Sequence, residues 1–253
     1  MRVFLFFSYC GTRYHGWQYQ PNAVSVQEEM EKALQTLLRV HIDIVAAGRT
    51  DTGVHARMMA AHADLPESLV PSSLPNLAFR LNGLLPLDIA VQRIVPVIPA
   101  AHARFDAISR TYEYHVTTAK DPFLQGFATR LWSVPDFEMM NKAAELLLEE
   151  KDFATFCKAH SDNKTTLCDV RRAFWRQTSP DTWVFTIEAD RFLRNMVRAV
   201  VGTLLEVGRG RMTLDDFRAA LQRRDRSAAG ESVPAEGLYL TDIRYPDSLF
   251  LIS

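Results

Sequence analysis

MRVFLFFSY, residues 1–9, opens the chain with an apolar, aromatic run that reads as a secretory leader or as a first strand, and the fold turns on that choice. The uninterrupted apolar core of the run is five residues, shorter than a leader's hydrophobic region, and no small-residue cleavage site follows it. Arg2–Tyr9 is therefore expected to be a buried β-strand. The rest of the chain falls into place around that strand. Ser25 and Glu28 form a capping-box pattern, and Val26, Met30, Ala33, Leu34 and Leu37 recur at helical spacing. Ile42–Ala46 and Met58–Ala63 read as strands, Leu74–Leu84 as a helix closed by Asn82-Gly83 and Pro86, and Ile89–Val97 as a strand.

After a connector at 98–108 the pattern repeats. Thr111–Thr117 alternates as a strand, Phe137–Glu149 is an amphipathic helix, and Val170–Gln177 and Trp183–Ala189 are strands joined by Ser-Pro-Asp. Phe192–Val207 reads as the strongest helix, with Phe192, Met196, Val200 and Leu204 four apart; Leu214–Arg223 is a shorter helix and Gly237–Tyr245 a last strand. Each half is thus strand, helix, strand, strand, helix, strand. The fold expected is α+β: two ferredoxin-like halves, 1–102 and 103–253, with mainly antiparallel sheets and a central cleft.

The 253 residues suffice for two modest cores, and no run is long enough to span a bilayer. Three cysteines, Cys10, Cys157 and Cys168, at irregular spacing argue against a disulfide framework and for a reducing, cytoplasmic setting. The net charge of −1 gives no global sign of a polyanionic partner. Residues 191–226 differ: nine arginines stand against four acids, and guanidinium groups suit phosphate. A solvated helical face would explain such a run equally well. Cys157, His160 and Cys168 supply at most three ligands, so no metal is expected, and no glycine signature of a nucleotide cofactor is present.

Four segments carry the candidate chemistry. GRTDTGVHA, 48–56, holds an Asp-Thr-Gly, the triplet of aspartic proteases. The triplet occurs once, whereas that chemistry needs two carboxylates sharing a proton, and Arg49 beside Asp51 favours the ionised form. YCGTRYHGWQYQ, 9–20, interleaves aromatic, basic and amide side chains between glycines, a mixture able to stack bases and hold phosphates, or simply a loop whose Tyr14 and Trp17 cover the core edge. HARFDA, 102–107, precedes RTYEY, 110–114, where Tyr112 and Tyr114 share a strand face. In FLRNMVR, 192–198, Arg194 and Arg198 are four apart on one helical face, and Arg198 lies near an apolar edge that a cation tolerates only with a partner.

Taken together and in this order, with FLRNMVRAVVGTLLEVGRGR and AEGLYL behind them, these segments resemble the tRNA pseudouridine synthase A family over nearly the whole chain. Cys10 departs from the family pattern, which usually has an acidic residue there. The resemblance implies an isomerase that breaks the N-glycosidic bond of a uridine in the anticodon arm of tRNA, at positions 38–40, turns the uracil and rejoins it through C5, with no cofactor. It implies Asp51 as the essential carboxylate, Arg198 as its partner, Tyr112 stacked on the target base, Arg49 holding the displaced nucleotide, and Leu238 lining the uracil pocket. It also implies that the two halves are RRM-like, that the central cleft is an RNA-binding cleft, and that the protein is a homodimer. The competing readings are a non-catalytic RNA-binding protein, which has no need of Asp51, and an aspartic hydrolase.

Overall fold

The computed structural model describes residues 1–158 and 164–251. In chain order its elements are β1 (Arg2–Tyr9), α1 (Val26–Leu38), β2 (Val45–Ala46), β3 (His55–Asp64), α2 (Leu74–Leu84), β4 (Ile89–Pro96), β5 (Ser109–Thr117), β6 (Thr129–Arg130), α3 (Phe137–Glu149), β7 (Val170–Ser179), β8 (Thr182–Ala189), α4 (Met196–Gly208), α5 (Leu214–Arg223) and β9 (Leu238–Arg244). They fall into two compact units, Met1–Ile108 with Tyr239–Ser253, and Ser109–Leu238. A division at 102/103 leaves residues 103–108 and the last strand with the second half; residues 103–108 and the last strand from Tyr239 onward pack in the first unit. No helix among the described residues is long and apolar enough to cross a membrane.

The first unit is built on β1, which pairs antiparallel with β3 on one side and β4 on the other. A strand with both edges paired and both faces covered has no use for polar alternation, which accounts for the unbroken VFLFF at its centre. Beyond β3, β2 pairs antiparallel at Val45↔His62 and β9 pairs parallel at His55↔Tyr239. The order β4-β1-β3-β2 is that of a ferredoxin-like module. Phe4, Leu5, Phe7, Met30, Leu34, Ile44 and Met59 are wholly buried, and Phe4 meets Tyr245 edge-on at 4.9 Å.

Ser25 caps α1, its hydroxyl accepting the Glu28 N–H at 3.3 Å, while the Glu28 carboxylate turns to Lys32 at 2.7 Å. The second strand is shorter than Ile42–Ala46. Side chains of α1 take the backbone that would extend it: Glu31 accepts the Ile44 N–H at 3.2 Å and Gln27 donates to the Ile44 carbonyl at 3.3 Å. Ladder pairing therefore begins only at Val45. On α2, the Asn82 amide brackets Val91 of the edge strand β4, accepting its N–H at 2.7 Å and donating to its carbonyl at 2.8 Å.

In the second unit β8 lies between β5 and β7, both antiparallel to it, and β6 adds a short parallel pair to β5. Asn141 of α3 brackets Trp175 of β7 as Asn82 brackets Val91, at 2.7 and 3.2 Å. Phe137 stacks on Trp183 with centroids 3.8 Å apart. The α+β architecture with mainly antiparallel strands is as expected from the sequence. The start of the strongest helix is not. Phe192–Asn195 stays outside α4, because Asn195 takes a left-handed backbone (φ 66°) and its amide donates to the Ser232 hydroxyl at 2.6 Å. Arg194 is consequently not on the helical face that carries Arg198.

Candidate active site

Asp51 sits in a loop that a second loop clamps, and both belong to the first unit. Residues 50–54 turn tightly: the Val54 N–H donates to the Asp51 carbonyl at 3.1 Å, and Gly53 adopts φ 79°, a region that glycine enters without steric cost. The clamp is residues 9–17. Gly53 donates to the Tyr14 carbonyl at 3.3 Å, Trp17 donates to the Thr50 carbonyl at 3.2 Å, and the Tyr9 and Thr50 hydroxyls share a hydrogen bond of 2.8 Å. Gly11 lies so close to the Val54 carbonyl that a Cβ would overlap it. At Gly16, φ 91°, a Cβ would likewise overlap the Thr50 carbonyl and would also come within 3.2 Å of the Asp51 carbonyl carbon. The clamping loop then feeds α1, whose first N–H groups, from Val26 and Gln27, go to the Gly16 and Trp17 carbonyls.

Two of the aromatic residues of this loop, Tyr14 and Trp17, are structural. Each is 3% exposed, so neither offers a face to a base, and of the two readings of this segment the one in which they cover the core edge holds for these side chains. Trp17 packs on Phe7 at 5.3 Å. The Tyr14 hydroxyl donates to Asp88 at 2.6 Å, and Arg13 reaches the other oxygen of Asp88 at 2.7 Å. Burial works to raise the Asp88 pKa, yet these two donors outweigh it and leave the carboxyl below its ordinary value. Exposed on the same loop are Thr12, Arg13, His15, Gln18, Tyr19 and Gln20. Asp51 itself is half-buried and Arg49 exposed.

His55, quoted within GRTDTGVHA but given no role from sequence, proves to be part of the clamp. It is buried, its Nδ1 accepts the Gly11 N–H at 3.1 Å, and its ring stacks on Tyr239 of β9 at 4.6 Å. Accepting through Nδ1 assigns the proton of the neutral ring to Nε2. Arg57 lies 5.3 Å from the Tyr239 ring centre; burial pushes the Tyr239 phenol up to about 12 against the pull of that cation. The signal in the sequence was the paired glycines of the two motifs; their meeting across some forty residues was not readable.

Tyr112, Arg198 and Leu238 belong to the second unit. Strand β5 carries two tyrosines of the same parity with different fates. Tyr114 is fully buried, its hydroxyl hydrogen-bonded to that of Thr129 at 2.6 Å and donating to the Pro234 carbonyl at 2.9 Å, and burial raises its pKa well above the usual phenol range. Tyr112 is half-buried, and Phe192 meets it edge-on at 5.0 Å. Their neighbour Glu113 is held below its ordinary pKa, first by the hydrogen bond from His115 at 3.2 Å, against burial, with Arg176 adding its charge at 3.3 Å.

Arg198, in the first turn of α4, donates from Nε to the Val233 carbonyl at 2.7 Å, while Val233 N–H returns to the Arg198 carbonyl at 3.2 Å. The stretch that grips it is fixed in turn: Arg226 reaches the Ser232 hydroxyl at 3.0 Å, and Gly202 touches the Glu231 carbonyl so closely that a Cβ would overlap it. Leu238 is buried, and Gly237 before it presses on the His115 carbonyl and the Tyr114 ring. The arginine run is not a bare basic face. Arg209 and Arg211 pair with Glu206, Arg218 with Asp215 and Arg224 with Asp152. Of the cysteine–histidine group, Cys168 is buried, with its thiol pushed up to about 12 by burial, and His160 lies outside the described residues.

Comparison with known proteins adds to this geometry. The family model described as tRNA pseudouridine synthase matches residues 5–106 and 143–246. The chain is similar to the tRNA pseudouridine synthase A of Parabacteroides distasonis, 54% identical over 249 residues and 98% of each chain. It is 52% identical over 251 residues to that of Porphyromonas gingivalis, covering 99% of each, and 37% identical over 249 residues to that of Bacillus subtilis, covering 97% of this chain and 99% of that one.

Proposed function

The chain belongs to the tRNA pseudouridine synthase family, and from that premise we propose that it isomerises uridines at positions 38–40 of the tRNA anticodon arm, with Asp51 as the carboxylate that starts the reaction. As an isomerase on tRNA it converts uridine to pseudouridine. The bond from uracil N1 to ribose C1′ breaks and a bond from C5 to C1′ forms. The proton on C5 leaves and N1 ends protonated, so the product has the substrate's formula and the balance calls for no oxidant, reductant or group donor.

The observation that carries the assignment of Asp51 is the clamp around it. A half-buried carboxylate on a loop held by backbone hydrogen bonds on both flanks keeps its position when a substrate arrives, the preorganisation that reactive groups require. Attack on C1′ and removal of the C2′ proton both need it ionised, and Arg49 in the same loop and Arg198 serve that state. Extracting a base from its stack costs a few kcal/mol. Tyr112, braced edge-on by Phe192, supplies the face that replaces the lost stacking, about 1–3 kcal/mol for a base on an aromatic ring. Arg49 holds the displaced nucleotide and Leu238 lines the uracil pocket. The working form is a homodimer, whose two copies give a chain of net charge −1 a larger basic surface for an acidic RNA.

Tritium release from tRNA labelled at uridine C5, for wild type and Asp51→Asn side by side, tests the reading. The expected result is release by wild type and a loss of at least about a thousand-fold in the variant, with tRNA affinity within about threefold. Release by Asp51→Asn at the wild-type rate removes the carboxylate from the chemistry. Binding without release by wild type makes the chain an RNA-binding protein. Replacing uridines 38, 39 and 40 one at a time by cytidine locates the target, and release that survives their simultaneous replacement refutes the anticodon assignment.

A further inference from the structure

HARFDA is the one motif that the proposed chemistry leaves without a role. Its loop, residues 98–108 between β4 and β5, is among the most heavily tied segments of the first unit. His102 N–H donates to the Asp106 carboxylate at 2.7 Å and Asp106 N–H to the His102 carbonyl at 3.1 Å. Ala103 N–H donates to His62 Nδ1 at 3.2 Å, and the Tyr245 hydroxyl donates to the Ala103 carbonyl at 2.6 Å. Arg104 N–H goes to His102 Nδ1 at 3.1 Å, Arg2 reaches the Ala101 carbonyl at 3.2 Å, and Ile108 N–H reaches the Arg244 carbonyl at 2.9 Å. Backbone secured in this way does not wander.

At its tip this rigid loop exposes a phenylalanine. Phe105 is 73% exposed. Burying such a ring would contribute roughly 2–3 kcal/mol to folding, so the loop holds outward a group that folding alone would draw in. The ring is backed by an aromatic column: His102 lies 4.3 Å from it and the buried His62 4.5 Å from His102. The Arg104 guanidinium lies 5.7 Å from the ring centre. Of the loop's large apolar side chains only Phe105 and Ile108 are exposed, too little for a protein-docking face, which needs several hundred Å² of apolar surface. One ring with an adjacent guanidinium matches one nucleotide, a planar base with its phosphate.

We infer that Phe105 and Arg104 form a nucleotide-stacking contact for the tRNA substrate, in which an unpaired base lies on the Phe105 ring and a neighbouring phosphate meets Arg104. The inference rests on the substrate being tRNA. It assigns the loop to substrate grip rather than to the chemical step.

Equilibrium binding of tRNA to wild type, Phe105→Ala, Phe105→Leu, Phe105→Trp and Arg104→Gln, over a range of salt and alongside C5 tritium release and sedimentation velocity, tests it. Phe105→Ala and Phe105→Leu are expected to raise Kd by roughly five- to a hundred-fold, and Phe105→Trp to stay within about threefold of wild type. Arg104→Gln is expected to lower the slope of log K against log salt by about one phosphate's worth. Wild-type affinity in Phe105→Ala overturns the contact. Wild-type affinity in Phe105→Leu overturns stacking, since leucine is apolar without a planar face. A change of sedimentation coefficient in Phe105→Ala identifies a protein interface instead. If wild type neither binds tRNA nor releases tritium, the reading of the substrate has failed and this inference with it, a result distinct from a wild type that works and a variant that matches it.

Discussion

The two units hold their candidate residues by different means. Around Asp51 the first unit sets backbone against backbone: Gly11 on Val54, Gly16 on Thr50, with carbonyls and N–H groups of two loops joined directly. Around Tyr112 the second unit uses side chains on regular elements: a strand tyrosine against Phe192, and a helix arginine on the Val233 carbonyl. The difference sets the tolerance of each site. Where backbone meets backbone no neighbour can rotate aside, so a single added carbon displaces the loop. Where side chains meet, rotamers absorb part of the change. The lesson has exceptions inside the second unit, at Gly202 on α4, where the Glu231 carbonyl again leaves no room, and at Gly237 against the His115 carbonyl.

Gly16→Ala tests this most severely. The alanine would take an unfavourable positive φ and overlap the Thr50 carbonyl, two costs of about 1–3 kcal/mol each. The expected outcome is a loss of about 3–5 kcal/mol in urea denaturation and a fall of at least a hundred-fold in kcat, since the displaced carbonyl adjoins Asp51. Tyr112→Phe, which removes a hydroxyl from a half-buried ring, should cost less than 1 kcal/mol. Comparable losses in the two variants would break the contrast between the units.

How much of this was legible can be said residue by residue. The bounds of α2, α3 and α5 were readable because amphipathic periodicity and punctuation coincide there. The late start of β2 was hidden because its cause is long-range: Gln27 and Glu31 on α1 take the Ile44 backbone. The spacing of Phe192 and Met196 is helical, but Asn195 between them prefers its left-handed contact with Ser232, a preference that periodicity does not record. The loop of Asp51 was readable as a motif. Its clamp was not, because a glycine reveals freedom of the backbone and not the identity of the carbonyl it will touch. Nor could spacing tell Tyr112 from Tyr114, which share a parity; only Thr129 and Pro234 separate them.

A smaller effect than that at Gly16 is expected from pH, and it falls on the first unit. Burial, then the charges of His102 and Arg2, lower the His62 pKa to about 4, against the opposing pull of Asp64 and Asp106. The folded state thus prefers neutral His62, while the unfolded chain takes up a proton near pH 6.5. Between those values the unfolded state binds more protons, so stability is full above about pH 6.5 and is lost progressively as the pH falls toward 4. The loss by pH 4.5 is on the order of 2 kcal/mol. Urea midpoints of wild type and His62→Gln at pH 7 and 5 check it: the variant should lose less between the two.

The finest test pairs two buried hydroxyls. Tyr9→Phe removes the bond to Thr50, and Tyr114→Phe removes the bonds to Thr129 and Pro234. Each substitution should cost about 1 kcal/mol of stability, the usual worth of a buried hydrogen bond, with somewhat more for Tyr114 because two partners lose it. Stability alone therefore does not distinguish the units; turnover does. Thr50 adjoins Asp51 in a clamp made mostly of backbone contacts, so Tyr9→Phe should lower kcat several-fold while KM for tRNA changes little. The partners of Tyr114 are Thr129 and a carbonyl at Pro234, one residue beyond the contact that holds Arg198, and slack there is taken up by the Arg198 side chain. Its kcat should stay within about twofold of wild type. Equal falls in kcat would mean that the second unit positions its residues as rigidly as the first, by side chains that behave as backbone does.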